Sequence, residues 1–316
     1  MQEDEETALS RIVRERLDAG TSRQVAAIGG TVKAFAAQVA GQDADDCVAA
    51  VLAYGSCLRD VSPEEGLADF YVLTADDAPV SSNGLSRLGC RLVPPNVYYA
   101  ECVHEGKTLR AKYAVLPLAQ FEERVSVKTK NPYFWARFSQ PSVLTHVQDE
   151  NARERVSNAI ETALNTMLHN ALALCGPGDD AEELWITALA HTYETELRSE
   201  GPGRGRSIIA ADQDWYLNTA EAVLGADLSA VVKKQSNRQW AKERANWKRR
   251  RTTGKALSVA RLLKAAFTFK GGADYLAWKI ERHSGVEVSL SPWQRRHPIL
   301  AAVWLYPKLK LQGAFR

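Results

Sequence analysis

Apolar residues in the first third of the chain change their spacing twice. Between 22 and 40 they recur at Val25, Ile28, Val32, Phe35, Ala36 and Val39, which predicts a helix with one buried face. From 47 to 54 the run CVAAVLAY is unbroken, short enough for a buried strand, and it stops at Gly55-Ser56, a turn signal. Residues 67–74 (LADFYVLT) repeat the strand signal, and the Asp76-Asp77 and Ser81-to-Gly84 groups mark a loop. Residues 96–103 and 108–116 then predict a β-hairpin around His104 to Lys107. Together these segments predict an α+β unit over 20–145.

Beyond Asp149 the period becomes helical and stays so. Val156, Ile160, Leu164, Met167, Leu168, Ala171 and Leu172 fall on one face of a helix that ends near Cys175. A Gly176-Pro177-Gly178 break follows, and Asp180 with Glu183 is spaced as a capping box for the next helix. A Gly- and Pro-rich loop at 201–205 separates that helix from others expected near 211–226 and 255–267. The expected organisation is therefore an α+β domain over 20–145, a helical domain over 146–232, and a basic helical segment over 233–316.

Charge sharpens this division. The net charge is only +2, yet residues 233–316 hold 20 Lys/Arg against 4 Asp/Glu, and the rest of the chain holds 20 against 34. Such asymmetry points to an anionic partner, or to an interface between the two parts. Five cysteines without a C-x-x-C pair argue against a disulfide framework and against a structural zinc site. The acidic start (Glu3 to Glu6) has neither a secretory nor a transit layout, and the apolar run at 299–306 is far too short to span a bilayer. His104, His146, His169 and His191 show no metal-ligand spacing.

The chemistry-bearing stretch is Tyr54-Gly55-Ser56-Cys57-Leu58-Arg59, followed by Asp69 in the next strand. A Gly-Ser turn between strand and helix presents N–H groups and a hydroxyl to a triphosphate. A carboxylate on the following strand then holds Mg²⁺ against the same phosphates. This is the arrangement of nucleotidyltransferases. The alternatives are a buried structural Asp69 and a Ser56 that merely caps a helix. Many nucleotidyltransferases carry a second carboxylate two residues along the strand, whereas here Phe70 and Tyr71 follow Asp69.

Five short motifs extend the pattern: Tyr54-Gly55-Ser56, Asp69-Phe70, Val97-Tyr98-Tyr99, Lys112-Tyr113-Ala114-Val115 and Ala136-Arg137-Phe138-Ser139-Gln140-Pro141. In order and approximate spacing, over about residues 50–145, they resemble the mitochondrial translocator assembly and maintenance family. Members of that family are phosphatidate cytidylyltransferases that make CDP-diacylglycerol. Cys57, Ala114, Ala136 and Gln140 depart from its pattern, where the family has Gly, Gly, Gly and Lys. The resemblance implies a nucleotidyltransferase fold in a diverged, bacterial-type relative. It implies CTP and phosphatidic acid as substrates and Mg²⁺ as cofactor. Asp69 and Lys112 would be catalytic, and Gly55, Ser56, Arg59 and Arg137 would hold the nucleotide. Asp69 would ligate the metal, with Glu123 (or its neighbour Glu122) supplying a second carboxylate.

The basic run Lys248-Arg249-Arg250-Arg251 heads a segment in which Lys255, Arg261, Lys264 and Lys270 interleave with Leu257, Val259, Leu262, Leu263, Ala266, Phe267 and Phe269. An amphipathic basic helix of this kind can lie on an anionic bilayer, or be a solvated face packed on its own domain; the phosphatidic acid acceptor that the resemblance implies favours the bilayer over nucleic acid. The expectation is a peripheral enzyme on the cytoplasmic face of the cell membrane, with no transmembrane segment and with Lys248 to Arg251 meeting the lipid. Two rival readings are a nucleotidyltransferase acting on RNA or protein, and a non-catalytic nucleotide-binding module.

Overall fold

The computed structural model describes residues 6–59, 66–176, 178–196, 203–233 and 237–268, together with 277, 281, 286 and 288–296. Pro177, positions 201–202, Phe269, Lys270 and the run at 299–306 lie outside the described residues, as do the side chains of Leu262, Leu263, Ala266 and Phe267. The molecule is mixed α and β. Five strands form one sheet in the order β3-β4-β2-β1-β5: β1 Val48–Tyr54, β2 Ala68–Thr74, β3 Asn96–His104, β4 Lys107–Pro117 and β5 Ser142–Val147. β2 and β4 run parallel, and every other neighbouring pair is antiparallel. The predicted strands and hairpin match these elements closely.

Two sets of helices cover the sheet. Helix α2 (Arg23–Ala40) crosses all five strands on one face. It comes so close that a Cβ at Gly29 would lie 2.9 Å from Thr145 Oγ1 and 3.4 Å from the Phe70 ring. Only glycine allows that approach. Side chains alternate along a strand, so the neighbours of Phe70, namely Asp69 and Tyr71, point to the other face. There they meet the short helix α6 (Trp135–Phe138), with Tyr71 edge-on to Phe138 at 4.8 Å.

Helix α1 (Ala8–Leu17) buries Leu9, Val13 and Leu17 and packs on α7 (Glu150–Ala171). Its three apolar positions form a helical stripe that the sequence reading did not use. One cluster of buried residues runs from Leu9 to Trp247, so the sheet and the later helices share a core. That core includes α5 (Leu118–Val125), α8 (Ala181–Tyr193), α9 (Arg204–Ala210) and α10 (Gln213–Leu224).

The last long helix, α12 (Asn237–Thr268), follows the short α11 (Leu228–Lys233) and starts well before the predicted 255. Its buried stripe is Trp247, Arg250 and Gly254, at i, i+3 and i+7. A Cβ at Gly254 would meet Thr195 at 2.7 Å. A tryptophan, an arginine and a glycine share the helical period but not the hydrophobicity that a pattern search detects. Two further helices, α4 (Gly84–Leu92) and the four-residue α3 (Ala44–Cys47), are not among the elements that the apolar pattern predicts. Among the described residues no helix is long and apolar enough to cross a membrane.

Candidate functional site

The site begins at the C-terminal end of β1. Tyr54 is extended, and Gly55 then turns at φ +79°, a left-handed conformation that favours glycine. Gly55–Leu58 make one 3₁₀ turn. Cys57 is buried beneath it, and its thiol donates to the Tyr54 carbonyl at 3.2 Å. Burial raises the Cys57 thiol to about 11, which keeps it protonated and inert. Where the family pattern has glycine, this chain thus carries a thiol that closes the turn.

Strand register sets the rest. Tyr54 pairs with Asp69 on β2, and Asp69 pairs with Lys112 on β4, so these side chains form a transverse row across the sheet. Lys112 Nζ lies 2.8 Å from Asp69 Oδ1. The Asp69 carboxylate raises the Lys112 pKa, against the effect of burial. The other oxygen, Oδ2, faces the turn, 3.8 Å from where a Cβ on Gly55 would stand.

Arg137, from α6, closes the row. It donates to the Tyr133 hydroxyl at 3.1 Å and the Tyr71 hydroxyl at 3.4 Å, and Glu196 lies 3.7 Å from its Nη2. Its guanidinium stands 4.6 Å from the Tyr133 ring centre and 5.5 Å from that of Tyr54. Arg261 of α12 also stacks on Tyr133, at 3.7 Å from the ring centre. Burial resists ionisation of Tyr133, but Arg137 and Arg261 outweigh it and lower its pKa. Burial raises the phenols of Tyr54 and Tyr71 well above the usual range.

Gly55, Ser56, Arg59, Asp69 and Arg137 line one cavity of about 390 Å³. Five residues predicted to act together are thus brought together, with Lys112 joined to them through Asp69. The opposite wall comes from the helices and includes Arg16, Tyr193, Arg204, Asp212 and Tyr216. Sequence reasoning missed this wall. Arg16 carries no local signal, and its position follows from the packing of α1 against α10. It pairs with Asp212 at 2.5 Å and stacks over Trp215 at 5.6 Å. Four arginines against two aspartates give the cavity a positive lining, suited to a polyanion of nucleotide size.

The structure does not bring Glu123 to Asp69. α5 starts after Pro117, which pairs with Thr74 at the far end of β2 from Asp69. Glu123 is exposed on α5 and does not line the cavity, and Arg155 holds Glu122 in a two-pronged pair at 2.8 Å. Among the described residues no three Asp, Glu, His or Cys side chains converge as a metal cluster. Magnesium needs no such cluster when ligand phosphates fill most of its shell; one or two carboxylates suffice. The Asp69 oxygen that faces the Gly55 turn fits that minimal requirement.

The basic run on α12 divides. Lys248 and Arg249 are exposed as expected. Arg250 is not free for lipid: it is 7% exposed, lies 4.9 Å from the Trp247 ring centre, and donates to Asn170 Oδ1 at 2.6 Å. Arg251 pairs with Glu194. Further along, Arg261 donates to the Pro94 carbonyl, and Lys264 to the carbonyls of Val93 and Pro95 and to Asn96 Oδ1. Burial lowers Lys264 to about 8. The helical period explains the split, because it turns every third or fourth side chain of the run towards the core. Arg250, Arg251, Arg261 and Lys264, four of the ten Lys/Arg on α12, are thus engaged by other parts of the molecule. No protein-family model matches the chain, and no curated protein matches it either.

Proposed function

We propose that this chain is a nucleotidyltransferase that transfers CMP from CTP to phosphatidic acid, giving CDP-diacylglycerol and pyrophosphate. The observation that carries the reading is the convergence of the Gly55-Ser56 turn, the Asp69–Lys112 pair and Arg137 on one positively lined cavity. The backbone N–H groups of the turn and the Ser56 hydroxyl hold phosphate oxygens. Lys112 and Arg137 face the charge that grows on the leaving pyrophosphate, and Tyr54, Tyr71 and Tyr133 fix the Arg137 fork. Magnesium bound at Asp69 would neutralise charge on the triphosphate. An oxygen of the acceptor phosphate forms the new bond to the α-phosphorus as the bond to pyrophosphate breaks. A phosphate monoester is already anionic near neutral pH, so no general base is required.

The test is pyrophosphate release from each of the four ribonucleoside triphosphates, offered phosphatidate vesicles or RNA as acceptor. CTP with phosphatidate is expected to turn over best. Preferential transfer to RNA would replace the acceptor. One observation favours a second reading: Lys112 already forms an ion pair with one oxygen of the single carboxylate at the turn. Saturable nucleotide binding with no release from any pair would establish that reading, a non-catalytic nucleotide-binding module.

A further inference from the structure

Helix α4 is fixed to the sheet by its inner side, and its outer side is exposed among the described residues. Cys90 is buried, with its thiol 3.5 Å from the Val115 carbonyl, and Asn96 donates to the Ser86 carbonyl. The aliphatic stem of Lys264 crosses the helix at Gly89, where a Cβ would lie 3.2 Å from Lys264 Cδ. The Lys264 ammonium binds the Val93 carbonyl, at the C-cap of α4. On the opposite side Leu85, Leu88 and Leu92 are 80%, 53% and 67% exposed. Their i, i+3, i+7 spacing places them in one narrow stripe. Burying such side chains is the usual reason for a helix to carry them, so three in a stripe facing water mark a contact surface.

Charge selects the partner. Arg91 borders the stripe and Arg87 is exposed further round on the same flank of α4, and the chain has no acidic residue from Pro79 to Ala100. A short helix with leucines on one side, arginines along one flank and no acids has the make-up of an element that lies in the interface of an anionic bilayer. A second copy of the chain is a poorer match. Three leucines offer far less than the roughly 800 Å² per partner of a stable interface, and two α4 helices face to face would juxtapose their arginines.

We infer that α4 is the membrane-contacting element of this protein, inserting Leu85, Leu88 and Leu92 into an anionic bilayer with Arg87 and Arg91 at the headgroups. This extends the proposed function by naming the surface that meets the lipid, and it replaces Arg250 and Arg251 in that role. The test needs no nucleotide, so it stands or falls separately from the catalytic reading. The full chain is co-sedimented with phosphatidylcholine vesicles containing or lacking phosphatidylglycerol.

The triple variant Leu85→Gln/Leu88→Gln/Leu92→Gln is expected to bind the anionic vesicles at least about tenfold more weakly than wild type. Arg87→Gln/Arg91→Gln should lose binding severalfold at low salt and much less at high salt. Wild-type vesicle binding by the triple variant would overturn the inference. So would a wild-type chain that ignores vesicles but self-associates in a manner the triple variant abolishes. If the triple variant fails to fold, hydrogen exchange of residues 84–92 in the wild type decides. Protection on adding anionic vesicles is expected, and unchanged exchange refutes the assignment.

Discussion

Strand β2 has an aspartate near each end, and the two have opposite fates. Asp69, at the start, faces a cavity and meets Lys112 with one oxygen while the other faces the Gly55 turn. Asp76, just past the end, is locked on both oxygens by Arg155, which also grips Glu122, and it accepts the Ala119 N–H. Both are carboxylates beside cations, and neither would stand out by charge alone. They differ in what remains unsatisfied: Asp69 has an oxygen directed at the Gly55 turn, whereas the bonding capacity of Asp76 is spent on holding α5 and α7 to the strand. A paired carboxylate becomes a candidate for chemistry only when the pairing is incomplete and faces space.

The strongest way to break the comparison is to neutralise both ends. Asp69→Asn should lower turnover on CTP and phosphatidate by about a hundredfold or more while the melting temperature changes little, whereas Asp76→Asn should leave turnover near wild type. Equal kinetics for the two variants would remove the distinction. Next in size, Lys112→Met should weaken nucleotide use by about 1–3 kcal/mol, and Ser56→Ala by about 1 kcal/mol, read as kcat/KM. If neither moves, the Gly-Ser turn is an ordinary one.

At the other end Arg155→Met strands two carboxylates. It should cost about 1–2 kcal/mol of stability in denaturant unfolding, with KM for CTP unchanged. A rise in KM would mean that the two ends are coupled. The smallest effect concerns pH. Hydrogen bonds from Arg155 hold the Asp76 carboxyl below its ordinary 3.8. A depressed folded pKa contributes stability above about pH 4, and that contribution is lost as pH falls through the folded value. Below pH 4 the melting temperature of Asp76→Asn should therefore fall less steeply than that of wild type. Parallel curves would show that Asp76 contributes nothing, as its half-exposed position allows.

The parts of the molecule written in ordinary hydrophobic period were legible in the sequence. β1, β2, the hairpin, α2 and α7 all have aliphatic stripes or runs, and the Gly55-Ser56 turn falls where a strand ends. Glu123, placed at the metal by the order of the family's motifs, lies away from Asp69 because motif order does not say at which end of a strand the next helix starts. α12 was underestimated because its inward stripe is Trp247, Arg250 and Gly254. The helical wall of the cavity, with Arg16 and Arg204, depends on how distant helices pack, which no local pattern encodes. α4 reversed the usual rule, since its leucines point outward and its inward contacts are made by Cys90 and backbone.

The parallel pairing of β2 with β4 has a consequence for how the protein comes into being. Antiparallel neighbours can zip from a hairpin, but parallel neighbours must wait for the intervening chain, here α4 and β3, to cross over and close a long loop. Asp69 and Lys112 therefore meet only after that closure, late in any ordered assembly of the sheet. During refolding from denaturant, nucleotide binding should return with the slowest phase, after helix content has recovered. Under the proposed function, a newly made chain would stay unable to hold a nucleotide until its sheet is finished, and nucleotide binding would report completion of the fold.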